Sequence, residues 1–166
     1  MQKSKKKTVV RIVTTSTASE AGALMAVLRY FDRYQASVIL TTNKTKFLKT
    51  LSAKADVLVL AVHGVKDGIY LPTTKPLPPK AIAQQRIKAP IVVNLGCSTF
   101  SREYAAAFHK AGVKTYIGTD DDPEGDAALL FATNLFYWLK QTKDLQSAYR
   151  KASQIDKETK MFKLSS

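Results

Sequence analysis

Hydrophobic positions are grouped along the chain in two alternating rhythms. The stretch Thr8-Val9-Val10-Arg11-Ile12-Val13-Thr14 is β-branched and mostly apolar, which predicts a strand. Thr17-Ala18-Ser19-Glu20 follows with the spacing of a helix capping box, and Ala21, Leu24, Met25, Leu28 and Phe31 then recur at helical intervals. A short strand over 37–40 and a helix capped by Asn43, carrying Phe47, Leu48 and Leu51, come next. Residues 56–62, Asp-Val-Leu-Val-Leu-Ala-Val, form a continuous apolar run of the kind a central parallel strand shows when both its faces are buried.

Between Gly64 and Pro79, Gly68 and several prolines break any regular element and predict a loop or short hairpin. A short helix over 80–87 leads to a second buried strand, 90–95, and then to a helix over 101–111 that ends at Gly112. A strand over 114–117 follows. Asp122-Pro123-Glu124 opens a long helix, 125–140, with Ala128, Phe131, Leu135 and Trp138 on one side, and an amphipathic helix runs from about 145 to 155. This alternation predicts an α/β fold: a three-layer α/β/α sandwich around a mainly parallel, five-stranded sheet. Neither an internal repeat nor a linker interrupts it, so residues 1–166 read as one domain with a flexible basic tail over 1–7.

Composition narrows the class. At 166 residues and 45% hydrophobic content, the chain is long enough to bury the core of such a layered domain. No apolar run approaches the roughly 18 residues of a membrane span, and the basic amino terminus lacks the apolar centre of a signal peptide, so the expected location is cytoplasmic. Cys97 is the only cysteine, which excludes an internal disulfide and a cysteine-rich zinc site and leaves burial or reactivity as its role. No metal or cofactor is expected. The formal charge of +13 points to nucleic acid or an acidic partner, but the cations gather at the two ends (Lys3, Lys5, Lys6, Lys7 and Arg11, then Lys140 to Lys163) and over 44–54. These runs lack interleaved stacking aromatics and read more simply as solvated tails. A nucleotide site is disfavoured, because neither a Gly-rich turn after the first strand nor a phosphate-binding loop is present.

The candidate chemistry sits at strand ends. His63 follows the run 56–62 directly and Cys97 follows 90–95 through Gly96, which places both at the carboxyl edge of a parallel sheet, where active crevices form. If the two strands are neighbours, imidazole and thiol share one crevice. The helix amino terminus after Cys97 is expected to favour the thiolate. His109, inside a helix beside Lys110, is given no role.

The strand ending in His63-Gly64, the strand ending in Gly96-Cys97-Ser98, the turn Ala111-Gly112-Val113-Lys114, Ile117-Gly118-Thr119 and the closing pair around Phe136-Tyr137 and Ala148-Tyr149-Arg150-Lys151-Ala152 together resemble the caspase-like peptidases, most closely their CHAT-domain branch. The resemblance implies a cysteine endopeptidase in which His63 is general acid/base, Cys97 the nucleophile, and the Gly64 and Cys97 amides the oxyanion hole. A peptide or protein substrate and a regulatory protein partner are implied with it. Leu95 stands two before the thiol, where basic-specific relatives carry an acid. Asp120, Asp121 and Asp122 are candidate substrate-binding residues for a basic peptide; the alternative is that this acidic block serves the helix dipole. The competing function is a non-catalytic basic module for nucleic acid or an acidic protein, with no membrane involvement.

Overall fold

The computed structural model describes residues 6–65 and 67–166. Strands β1 (Thr8–Thr14), β2 (Tyr34–Leu40) and β3 (Val57–Ala61) are joined by helices α1 (Ala18–Tyr30) and α2 (Lys44–Leu51). A small hairpin, β4 (Gly64–Val65) with β5 (Gly68–Ile69), and the short helix α3 (Pro79–Ile82) precede β6 (Ile91–Asn94). Helix α4 (Arg102–Lys110), β7 (Thr115–Thr119), α5 (Gly125–Thr142), α6 (Leu145–Ala152), a single 3-10 turn (Thr159–Met161) and β8 (Phe162–Ser165) complete the chain.

The main sheet has the order β2-β1-β3-β6-β7-β8, parallel throughout except for β8, which runs antiparallel to β7. It therefore has six strands where the hydrophobic pattern predicts five. Alternate residues of β3 divide between two cores, as a doubly covered strand requires. Leu58 and Leu60 join Phe47, Ile82 and Phe108 beneath α2, α3 and α4, whereas Val57, Val59 and Ala61 join Leu24, Phe131 and Ala148 beneath α1, α5 and α6. These are the three layers the sequence predicts.

Asn43 caps its helix as expected, accepting from the Lys46 amide at 3.0 Å, and Ser101 caps α4, accepting from the Tyr104 amide at 3.2 Å. The other two expected caps are not made. Thr17 instead donates its hydroxyl to the Ala61 carbonyl at 2.6 Å, tying the start of α1 to the end of β3. Helix α5 begins beyond Asp122, whose carboxylate takes the Ser98 hydroxyl at 2.7 Å. In both cases a tertiary donor or acceptor outcompetes the local one. Of the basic tail, Lys3 and Lys5 lie outside the described residues, while Lys7 pairs with Asp32 at 2.9 Å. Among the described residues, no helix is long and apolar enough to cross a membrane.

Candidate active site

Strand order reverses beside β1: the chain first moves outward to β2 and then returns to the far side of β1 with β3. Carboxyl ends at such a reversal diverge and leave a crevice. A cleft of about 220 Å³ lies there. Thr17 and Glu20 enter it from α1, Val62 and His63 from the end of β3, Leu95 and Cys97 from the end of β6, and Glu124, Ala128 and Leu129 from α5 and its approach. Its walls are mainly apolar, with His63, Cys97, Glu20 and Glu124 as the ionisable groups.

His63 and Cys97 share this cleft because β3 and β6 are hydrogen-bonded neighbours, with Leu60 opposite Asn94. The turns that leave these strands are then in backbone contact. A Cβ on Gly64 would overlap the Cys97 carbonyl, and one on Gly96 would lie 2.8 Å from the Val62 oxygen and 2.9 Å from the Gly64 nitrogen. Only glycine permits this approach, which draws the Gly64 and Cys97 peptides together.

The Cys97 turn is fixed from below. Asn94 accepts from the Gly96 amide at 3.1 Å, and the Gly96 carbonyl takes the Thr99 and Thr119 hydroxyls at 2.7 and 2.6 Å. Tyr116, fully buried on β7, donates to the Thr99 carbonyl at 2.5 Å, and the Asn94 amide donates to the Tyr116 oxygen at 3.3 Å. Ser98 is left-handed at φ 49°, a conformation costing about 1–3 kcal/mol. Its amide donates to the Asp121 carbonyl at 2.9 Å and its hydroxyl to Asp122, and these bonds hold the strained residue in place. A serine directly after the cysteine was the sequence signal for this anchor. Asn94, Thr99, Tyr116 and Thr119 carried none, since their partners appear only once β6 lies beside β7.

The thiol is half-buried and approaches the Pro123 carbonyl at 3.9 Å, a weak sulfur contact. Burial pushes its pKa up, and the Asp122, Glu124 and Asp121 carboxylates push the same way. This corrects the expectation that a helix amino terminus favours the thiolate: α4 starts only at Arg102, and the acidic loop is the dominant field. The resting group is a thiol. Asp120, Asp121 and Asp122 do not line the cleft. Asp120 pairs with Lys163 at 3.2 Å, and the other two brace the Cys97 turn. Of the carboxylates that do line it, Glu124 belongs to the acidic block that follows β7, whereas Glu20 has no functional reading in the sequence. Glu20 looked like half of a capping box, and only the packing of α1 against the cleft gives it another place. Among the described residues, no group of three or more potential ligands is placed to hold a metal ion.

No family model matches the sequence, and no curated protein matches it. Solved structures do. The chain is similar to the separase of Saccharomyces cerevisiae in its complex with securin, at 14% identity and a TM-score of 0.65, covering 95% of this chain and 12% of that one. It is also similar to the Arg specific cysteine proteinase gingipain R, at 10% identity and a TM-score of 0.67, covering 94% of this chain and 45% of that one. The chain thus spans less than half of either protein. The fold of the chain is the caspase-like fold that these two share.

Proposed function

We propose that the caspase-like fold here carries a cysteine endopeptidase of the CHAT type that cleaves after a basic side chain. The observation that carries this reading is the convergence of His63 and Cys97 on one cleft, enforced by the Gly64 contact with the Cys97 peptide. The closing pair α5 and α6, with small Ala148 and Ala152 fully buried beneath the sheet, supports the CHAT assignment.

Because the thiol rests protonated, His63 acts first as general base, taking the proton as sulfur attacks the peptide carbonyl. The developing oxyanion is held by the Gly64 and Cys97 amides. His63 then delivers its proton to the departing amine, and water hydrolyses the thioester. The basic preference rests on Glu20 and Glu124, which line a cleft whose remaining wall is apolar and suits the aliphatic stem of lysine or arginine. Leu95 belongs to that apolar wall. Gingipain R, an Arg specific cysteine proteinase, has a preference of the same kind. The lone cysteine suits work in the reducing cytoplasm.

The test is labelling with an arginyl chloromethyl ketone, followed by mass spectrometry, beside cleavage of peptides with arginine or alanine before the scissile bond. The label is expected on Cys97, dependent on His63, with cleavage lost in Cys97→Ala. Labelling no faster than that of a free thiol, with cleavage surviving Cys97→Ala, overturns the reading.

A further inference from the structure

We infer that the opposite end of the sheet is a binding face for single-stranded nucleic acid. Two concave sites lie there, of about 510 and 450 Å³. The first is lined by Lys6, Lys7, Arg33, Lys140, Lys143 and the ring of Phe31, and the second by Lys7, Arg11, Arg29 and Gln35 among others. They share Lys7 and so form one continuous track. Asp32 is the single acid among the described residues that line them, and it already pairs with Lys7 at 2.9 Å. Seven cations against one paired acid make this a strongly positive concavity, which concentrates polyanions.

Three further observations select the ligand. Arg11 brings a guanidinium to the second concavity, and its buried Nε has no hydrogen-bond partner among the described residues. Arg29 is anchored through its Nε to the Ala36 carbonyl at 3.1 Å, which fixes a second guanidinium on the track. Aromatic rings adjoin the cations: Tyr137, 40% exposed, meets Phe31 edge-on at 6.0 Å with Lys140 over the Phe31 ring at 5.6 Å, and Tyr30, which directly precedes Phe31 in the chain, is 88% exposed beside the track. In the sequence these aromatics are about a hundred residues apart, and folding brings the ends of α1 and α5 together. Cations interleaved with aromatic faces suit phosphates and bases, whereas an acidic peptide would use the charges alone.

Position separates this face from the cleft. Lys6 and Lys7 precede β1, Arg33 precedes β2, and Lys140 and Lys143 end α5, all at the amino-terminal edge of the strands. The seven residues of β1 put roughly 20 Å between the two edges, and Arg11, at the middle of the strand, is the member of the track nearest the cleft, about 10 Å from the carboxyl edge. Nucleic acid on one edge therefore leaves the other open.

Fluorescence anisotropy with a labelled oligothymidylate, and with a labelled oligoglutamate of equal charge, tests the assignment on the full chain. Binding of the oligothymidylate is expected to weaken steeply between about 50 and 200 mM salt, with a log–log slope of roughly −3 to −4 for about five phosphate contacts. Lys140→Gln with Lys143→Gln is expected to weaken it about tenfold and flatten that slope by about 1.4. Lys46→Gln with Lys49→Gln, an equal charge change at exposed positions of α2, is expected to move it less than about twofold. Tyr30→Ala, at a solvated position where folding is untouched, is expected to cost about tenfold through lost stacking. Cys97→Ala should bind as the parent does. Absent or salt-independent binding, equal loss in both lysine pairs, or oligoglutamate binding as tightly with Tyr30→Ala silent would each overturn the inference.

Discussion

At the scale of single residues, the site sets a strained turn against an acidic field. Ser98 pays for its left-handed φ with two hydrogen bonds to the 120–124 loop, and the same bonds fix Asp122 where its charge adds to burial in raising the Cys97 thiol pKa. The carboxylate is thus both brace and brake. Asp122→Asn separates the two, because the asparagine oxygen still accepts the Ser98 hydroxyl while the charge is gone. The sign follows directly: removing a neighbouring anion lowers the thiol pKa and raises the thiolate fraction at any pH below it. Alkylation of Cys97 by iodoacetamide near pH 7 is expected to accelerate about two- to fivefold, a modest factor because the group is half-exposed and solvent screens it. The two rate profiles should merge above both pKa values. Equal rates at neutral pH would show that the Asp122 charge has no part in the shift.

Among the elements, legibility tracked how local each determinant is. The apolar runs of β1, β3 and β6 are long, and burial on both faces shows directly in composition, so their places and the strand-end positions of His63 and Cys97 were readable. Strand β2 starts at Tyr34, earlier than expected, because its first half pairs with β1 rather than declaring itself by a β-branched run. Strand β8 has no counterpart in the hydrophobic pattern. Phe162-Lys163-Leu164-Ser165 is short and half-polar, and it becomes a strand only by pairing with β7, reinforced by Ser165 on the His109 ring at 2.8 Å. His109 has a structural role on this account, joining α4 to the last strand. The weight of β8 rests on Phe162, fully buried with its ring stacked on Phe131 of α5 at 3.8 Å. Phe162→Ala is expected to cost about 3–5 kcal/mol, lowering the thermal midpoint by roughly 10 °C in circular dichroism. A shift of only a degree or two would mean that β8 is an accessory to the fold.

Across the whole molecule, charge is polarised along the strands. The chain carries a net +13, yet the cleft edge holds Glu20, Glu124 and the 120–122 acids, while the cations of the opposite edge face away. A basic peptide therefore meets two fields of different range. At about 0.01 M salt the screening length is near 30 Å, longer than the strands, so the approaching peptide feels the net positive charge and is repelled. At about 0.15 M it falls to about 8 Å, and within that distance only the carboxylates at the cleft are felt. Higher salt then weakens those as well. For a substrate with arginine before the scissile bond, kcat/KM is expected to rise with salt, pass through a maximum and fall, whereas an alanine substrate should show a flat profile. Glu20→Gln is expected to lower the arginine value about tenfold relative to alanine and to flatten the falling limb, since one of the two cleft carboxylates is then gone. A monotonic profile that Glu20→Gln leaves unchanged would place the origin of any basic preference outside this cleft. The maximum itself separates the two fields, because local attraction without the distant cations produces only the fall.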